Sequence, residues 1–354
     1  MASQTDTGDL PLPPFYDPAH AGEWSYAPDQ AALFAAAGEW RRLHGITPSS
    51  EDGKKVHLVL VDVQKDFCFP QGSLFVGGLS GTGAVDDSDR LARFIYRNLG
   101  RITEITCTMD THLPFQIFFA SFWVDAAGEP LQPYREVTAD EVSRGLALPN
   151  PALAPWLAGG DYAWLRRQAE FYCRELERAG KYRLYLWPPH CILGSDGHPL
   201  AGVLHEARMF HAYTRFAPNA VESKGSHPLT ENYSVLAPEV LRTHAGEPLL
   251  ERNAALVRKL ADADLVVVAG QAASHCVRSS VEDLADELRA VDPALLRRVV
   301  LLEDCMSSVA VPDPANAGCF LADYTEEAEN ALRRFGEAGM VVGRSTDAME
   351  SWLR

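Results

Sequence analysis

The sequence runs to 354 residues, with a hydrophobic fraction of 47% and a formal charge of −16 from 32 basic and 48 acidic side chains. That length and apolar content suffice for a sizeable core in one enlarged domain or a domain with an extension. The negative charge argues against a nucleic-acid partner, because phosphate binding draws on clustered Lys and Arg. No run approaches the roughly 18 apolar residues of a membrane span. Residues 1–14 are polar and Asp- and Pro-bearing, without the basic-then-apolar order of a signal peptide, so the expected setting is the cytoplasm. Seven cysteines, at 68, 107, 173, 191, 276, 305 and 319, are odd in number and widely spread with no CxxC pair. Reduced thiols are expected from this pattern rather than a disulfide framework or a zinc knuckle.

In chain order, residues 1–54 read as an N-terminal extension, with Pro11, Pro13 and Pro14 at its start and a short helix expected over Gln30 to Leu43. Residues 55–354 read as the main domain. It opens with VHLVLVDV from Val56, a continuous apolar run of strand length that predicts a strand buried on both faces. Similar runs follow at 102–109, 263–269 and 298–303, with 340–343 a candidate last strand. Helical patterns stand between them at 88–98, 199–212, 249–260, 276–290 and 315–337. This alternation predicts a three-layer α/β/α fold around a mainly parallel sheet, Rossmann-like in plan, with a ligand site at the carboxyl ends of its strands. The stretch 122–181 breaks the rhythm. It is aromatic-rich and Pro-bearing around a helical segment at 162–177, and it reads as an insertion able to cover the site.

Three strand ends carry reactive side chains. The first strand ends at Asp62 in VDVQKDF; an aspartate there also serves as an ordinary turn or capping residue. The strand ending near Ala269 leads through GQAASHC to Cys276 at the start of a helix. There the positive end of the dipole favours thiolate and backbone N–H groups can hold an oxyanion, although buried structural cysteines are common too. Lys224, in ESKGSHPLTENYS, follows a short strand at 220–223.

VDVQKDF, the SKG segment with its downstream YS, and GQAASHCVRSS closely resemble, in order and spacing, the three motifs of the isochorismatase-like cysteine hydrolase superfamily. The resemblance extends over about residues 56–343. It implies a triad of Asp62 as general base, Lys224 as electrostatic support and Cys276 as nucleophile. It also implies a cis peptide between Gln271 and Ala272, with the amides of Ala272 and Cys276 as the oxyanion hole.

CTMDTH supplies Asp110 and His112, and WPPHC supplies His190, a set of donors able to hold a divalent metal. The pair of motifs resembles the metal site of the nicotinamidase and pyrazinamidase branch. That resemblance implies one divalent ion, zinc with iron or manganese as alternatives, and a substrate ring between Phe67 and Trp187 with Gln271 also at the substrate. Gln116 stands where many relatives carry a further histidine, and whether it is a ligand is left open. The implied reaction converts nicotinamide, or a pyrazinamide-like carboxamide, to the acid and ammonia through a thioester, as in NAD salvage. The expected partners are the small amide and further copies of this chain, with no nucleic acid and no membrane. A carbamoyl, ureido or maleamate-type amidase is the alternative activity, and a non-catalytic binding protein the alternative class.

Overall fold

The computed structural model describes residues 9–353. Among them, six strands form one parallel sheet: β1 (Val56–Val61), β2 (Glu104–Asp110), β3 (Asn219–Lys224), β4 (Leu265–Gly270), β5 (Val299–Leu302) and β6 (Val341–Gly343). Their spatial order is β6-β5-β4-β1-β2-β3, and each neighbouring pair is parallel. The order reverses between β1 and β4, and a crevice opens at such a switch point beyond the carboxyl ends of the strands.

Side chains alternate across the sheet with the period of two that a strand imposes. Leu58, Leu60, Val267 and Ala269 face one way, onto helices α1 (Gln30–His44), α2 (Gly83–Arg97) and α4 (Gly202–Arg215). Val59, Val61, Val266 and Val268 face the other, onto α5 (Ala254–Ala261), α6 (Cys276–Val291) and α7 (Thr325–Glu337). The α/β/α layering follows directly. β1 and β4 are buried at every position, which is why both read as unbroken apolar runs.

α1 begins where Asp29 caps the amides of Ala31 and Ala32, and ends at Gly45 with φ +61°. It packs on α4, so the leading segment adds to one helical layer. The 122–181 region holds α3 (Tyr162–Ala179) and two short antiparallel pairs, Trp123–Val124 with Leu148–Pro149 and Arg135–Val137 with Leu184–Leu186. The second pair closes beyond residue 181. Its apolar core includes Ile117 to Phe119, Trp123, Leu165 and Tyr172, and is continuous with Phe67, Trp187 and Ala272 at the strand ends. The helix expected to start at residue 315 starts at Thr325 instead. Residues Ala310–Pro312 and Phe320–Asp323 pair antiparallel, around a turn in which Asp313 accepts from the amide of Ala315 and Gly318 takes φ +84°. Turn chemistry overrides helical propensity there. No helix among the described residues is long and apolar enough to cross a membrane.

Candidate active site

Register brings the chemistry together. Asp110 and Lys224, the last residues of β2 and β3, are direct partners in the ladder. Val61 pairs with Gly270, so Asp62 and the 271–276 loop leave the sheet side by side. Gly270 has φ +119°, and a Cβ on it would lie 2.1 Å from the carbonyl oxygen of Val61; only glycine permits that approach. Asp62 itself takes φ +45°, a left-handed conformation that aspartate tolerates better than most side chains.

Asp62, Lys224 and Cys276 converge as expected. Lys224 Nζ donates to Asp110 Oδ1, to the carbonyl of Asn232 at 2.9 Å and to Cys276 Sγ at 3.5 Å. It also stands 2.9 Å from Asp62 Oδ2. That oxygen has no aligned hydrogen-bond donor, and Asp62 is within reach of the Cys276 thiol. Asp62 Oδ1 accepts from Thr108 Oγ1 at 2.5 Å.

Burial dominates the protonation of this group. It raises the Asp62 carboxyl above its ordinary range despite Lys224, and it raises the Cys276 thiol, with Lys224 pulling the other way. The helix start favours thiolate, but Cys276 is only 6% exposed and desolvation of a sulfur anion works against it. Burial thus holds both members of the Asp62 and Cys276 pair toward their protonated forms. Lys224 goes the opposite way: burial would lower it, but Asp110, Asp62 and Cys276 hold it well above its usual value.

The peptide bond between Gln271 and Ala272 is cis. Around it the amides of Ala273, His275 and Val277 donate to Ser307 O, Ala272 O and Ala272 O. Those of Ala272, Ser274 and Cys276 meet no acceptor among the described residues, so the pair implied for the oxyanion, Ala272 and Cys276, is not consumed elsewhere. The Gln271 side chain is a correction. It does not reach the substrate space, because Nε2 donates to Asp87 Oδ2 at 2.9 Å and Oε1 accepts from Ser307 N at 3.2 Å, so the amide is consumed behind the loop.

Asp110, His112 and His190 also meet, with one donor atom from each within 4.8 Å of the others and all three residues buried. The donor set fits a divalent cation. His112 Nδ1 donates to the Gly225 carbonyl at 2.9 Å and His190 Nδ1 to that of Pro188 at 2.8 Å, which makes each Nε2 the ring atom available to a metal. Burial lowers His190 to about 4, so it is neutral at pH 7. His112 Nε2 lies 3.5 Å from Asp110 Oδ2. Gly225 has φ +80°, and a Cβ there would press to 2.5 Å from the His112 ring. Gln116, fully buried, donates through Nε2 to the same Gly225 carbonyl at 2.5 Å, while its Oε1 has no partner.

Cys276 shares the wall of one chamber of about 30 Å³, room for about two waters, with Asp110, His112 and His190; Lys224 reaches Cys276 and Asp110 from outside that lining, with Asp62 beside it. Phe67 and Trp187 line the chamber, and Trp187 Nε1 donates to Tyr233 Oη at 2.9 Å. His275 lines both this chamber and a wider cavity of about 700 Å³ bounded by Tyr182 and Tyr185 of the covering region.

No protein-family model matches the chain, and no curated protein does. Solved structures do. The chain is similar to a nicotinamidase and pyrazinamidase of Acinetobacter baumanii, at 20% identity over 84% of this chain and 99% of that one, TM-score 0.48. It is similar to the yeast nicotinamidase, at 17% identity over 81% and 99%, TM-score 0.48. A pyrazinamidase of Pyrococcus horikoshii solved with zinc is similar at 17% identity over 82% and 99%, TM-score 0.42.

Several residues of the site have no sequence signal. Thr108, Asn232 and Glu231 are drawn in by register and loop course, and Glu231 lines the chamber as a buried carboxyl raised by burial and by Glu239. Cys191 is buried beside His190 but stays outside the ligand set, its amide held by Asp66 Oδ2 at 2.7 Å.

Proposed function

We propose that this chain is a cysteine amidohydrolase that converts a nicotinamide-like heteroaromatic carboxamide to its acid and ammonia. The observation that carries the reading is one chamber whose wall holds Cys276, backed by Lys224 and Asp62, together with the Asp110, His112 and His190 donors.

The ring lies between Phe67 and Trp187, with the carboxamide toward the loop. Asp62 takes the proton of Cys276 as sulfur bonds to the carboxamide carbon, and Lys224 balances the charge passing between them. The carbonyl π pair moves onto oxygen, which the amides of Ala272 and Cys276 receive. Collapse expels the amine, which Asp62 protonates to ammonia, leaving a thioester. Asp62 then draws a proton from water, the hydroxyl adds to the thioester carbon, and the sulfur leaves and recovers its proton. A carboxyl with raised proton affinity suits these alternating roles, since it must both take and return a proton. Asp110, His112 and His190 would hold a divalent ion, which would supply Lewis-acid binding for the ring nitrogen.

The test is ammonia release from nicotinamide, pyrazinamide, maleamate and carbamoyl compounds, with and without chelator. Turnover of the pyridine and pyrazine carboxamides alone, lost on chelation, supports the reading. Turnover confined to the carbamoyl or maleamate compounds replaces it with the other amidase activity.

A further inference from the structure

Behind the 271–276 loop, away from the chamber, stands a buried carboxylate with three donors. Asp87 of α2 is 3% exposed. Its Oδ2 accepts from Gln271 Nε2 at 2.9 Å and from Ser307 Oγ at 2.6 Å, and its Oδ1 accepts from Arg90 Nη2 at 2.8 Å. Gln271 Oε1 accepts from Ser307 N at 3.2 Å, and Ser307 O accepts from Ala273 N at 2.8 Å. Ala272 is thus flanked on both sides by residues tied to Ser307, and both Ser307 and Gln271 end on one carboxylate. Packing leaves little slack, since a Cβ on Gly83 would fall 2.4 Å from Ser307 Oγ. Burial pushes the Asp87 carboxyl up while Ser307, Gln271 and Arg90 pull it down. Such a group is retained in a core only with its donors in place.

We infer that Asp87 is a positioning residue for the oxyanion hole: through Gln271 and Ser307 it fixes where the amides of Ala272 and Cys276 point. The inference rests on the proposed role of those amides. Asp87 touches neither substrate nor sulfur. Its effect belongs to the transition state, because an N–H set a few tenths of an ångström off matters little for a neutral carbonyl and much for an oxyanion.

Asp87→Asn keeps the shape, removes the charge and turns an N–H₂ group toward one of the present donors. The expected result is a kcat for nicotinamide lower by about 10- to 100-fold, a fraction of the loss from deleting a whole oxyanion donor. KM stays within about threefold, and metal content and the rate of Cys276 alkylation by iodoacetamide are unchanged. Affinity for pyridine-3-carbaldehyde falls in step with kcat. In that adduct sulfur bonds to the aldehyde carbon, the π pair moves to oxygen and the thiol proton rests on Asp62, so the oxyanion forms without turnover. Asp87→Asn combined with Gln271→Glu restores an amide-to-carboxylate pair with roles exchanged, and is expected to recover at least about tenfold in kcat, which a general loss of packing would not. Ser307→Ala, which removes one hydroxyl, gives a second route if the Asn variant does not fold, with kcat down about three- to tenfold and KM unchanged.

Unchanged kcat and aldehyde affinity in a folded Asp87→Asn or Ser307→Ala protein overturn the inference and leave the amidase reading standing. A wild-type protein that neither releases ammonia nor binds the aldehyde overturns that reading, and the inference with it.

Discussion

The Asp110 carboxylate is divided between two tasks: Oδ1 receives Lys224 Nζ, and Oδ2 turns 3.5 Å from His112 Nε2. One residue therefore joins the triad to the donor set, and the ladder pairing of the last residues of β2 and β3 builds the joint. Lys224 holds the Asp110 carboxyl below its ordinary range against the burial that would neutralise it.

Removing the lysine separates the two functions. Lys224→Met leaves Asp62 and Asp110 as buried carboxylates without their cation, a change that costs about 3–5 kcal/mol when one partner of a buried pair is lost. Turnover is expected to fall at least about a thousandfold, while bound metal by elemental analysis stays near one per chain because the donor atoms remain. Loss of metal along with activity would show that Lys224 holds Asp110 in place for the ion.

Gln116 tests the support around those donors. Its Nε2 and His112 Nδ1 share the Gly225 carbonyl, and its Oε1 is a buried acceptor without a donor. Gln116→Leu removes both groups at similar size. Groups that orient a ligand histidine change metal affinity by about 10- to 100-fold, and a tenfold weaker zinc affinity by competition with a chromogenic chelator is the expected outcome. His190→Ala, which removes a donor outright, is expected to abolish stoichiometric binding. Equal affinity in wild type and the Leu variant would make Gln116 a filler of space.

The sheet was legible in the sequence because its strands are buried on both faces, so VHLVLV and LVVVAG stand out without alternation. The triad was legible because each member ends a strand or opens a helix. Loop chemistry was less so. Gln271 sits in the right motif, yet its side chain turns back to Asp87, a partner 184 residues away that no local pattern announces. The helix expected from residue 315 failed for a related reason, because Asp313 and Gly318 make a turn inside a stretch of otherwise helical composition. The burial of Cys276 was not legible either, since the sequence places it at a helix start but carries no measure of how far its surroundings exclude water and raise the thiol.

The two raised groups have a kinetic signature. The active form needs Asp62 ionised and the thiol protonated. Both groups are raised, so kcat/KM rises with pH through a carboxyl titrating above the ordinary aspartate range, and the thiol contributes no alkaline fall below about pH 9. A profile of nicotinamide hydrolysis from pH 4 to 10 measures it, with Cys276→Ala as the inactive control. An alkaline limb near pH 7, shared by the alkylation rate of Cys276, would identify a thiolate formed in advance and remove Asp62 as its base.

Stability answers pH through other residues. Burial lowers His57 to about 4, His211 to about 4 and His275 to about 3, each below the usual value near 6.5. As pH falls below 6.5 the unfolded chain binds protons at these rings first, so the folded state loses stability progressively until the folded values are reached; above 6.5 the contribution is complete. The fall therefore runs from about pH 6.5 to 4 for His57 and His211 and on to about 3 for His275. His211 isolates one share of it. Its Nε2 donates to the Ile102 carbonyl at 2.7 Å, far from the chamber, and His211→Gln keeps a donor for that bond while removing the titration. The variant is expected to be somewhat less stable than wild type at pH 7.5 and to lose less Tm between pH 6.5 and 4.5, so that the two curves converge in acid. Parallel curves across that range would mean that His211 is protonated in the folded protein.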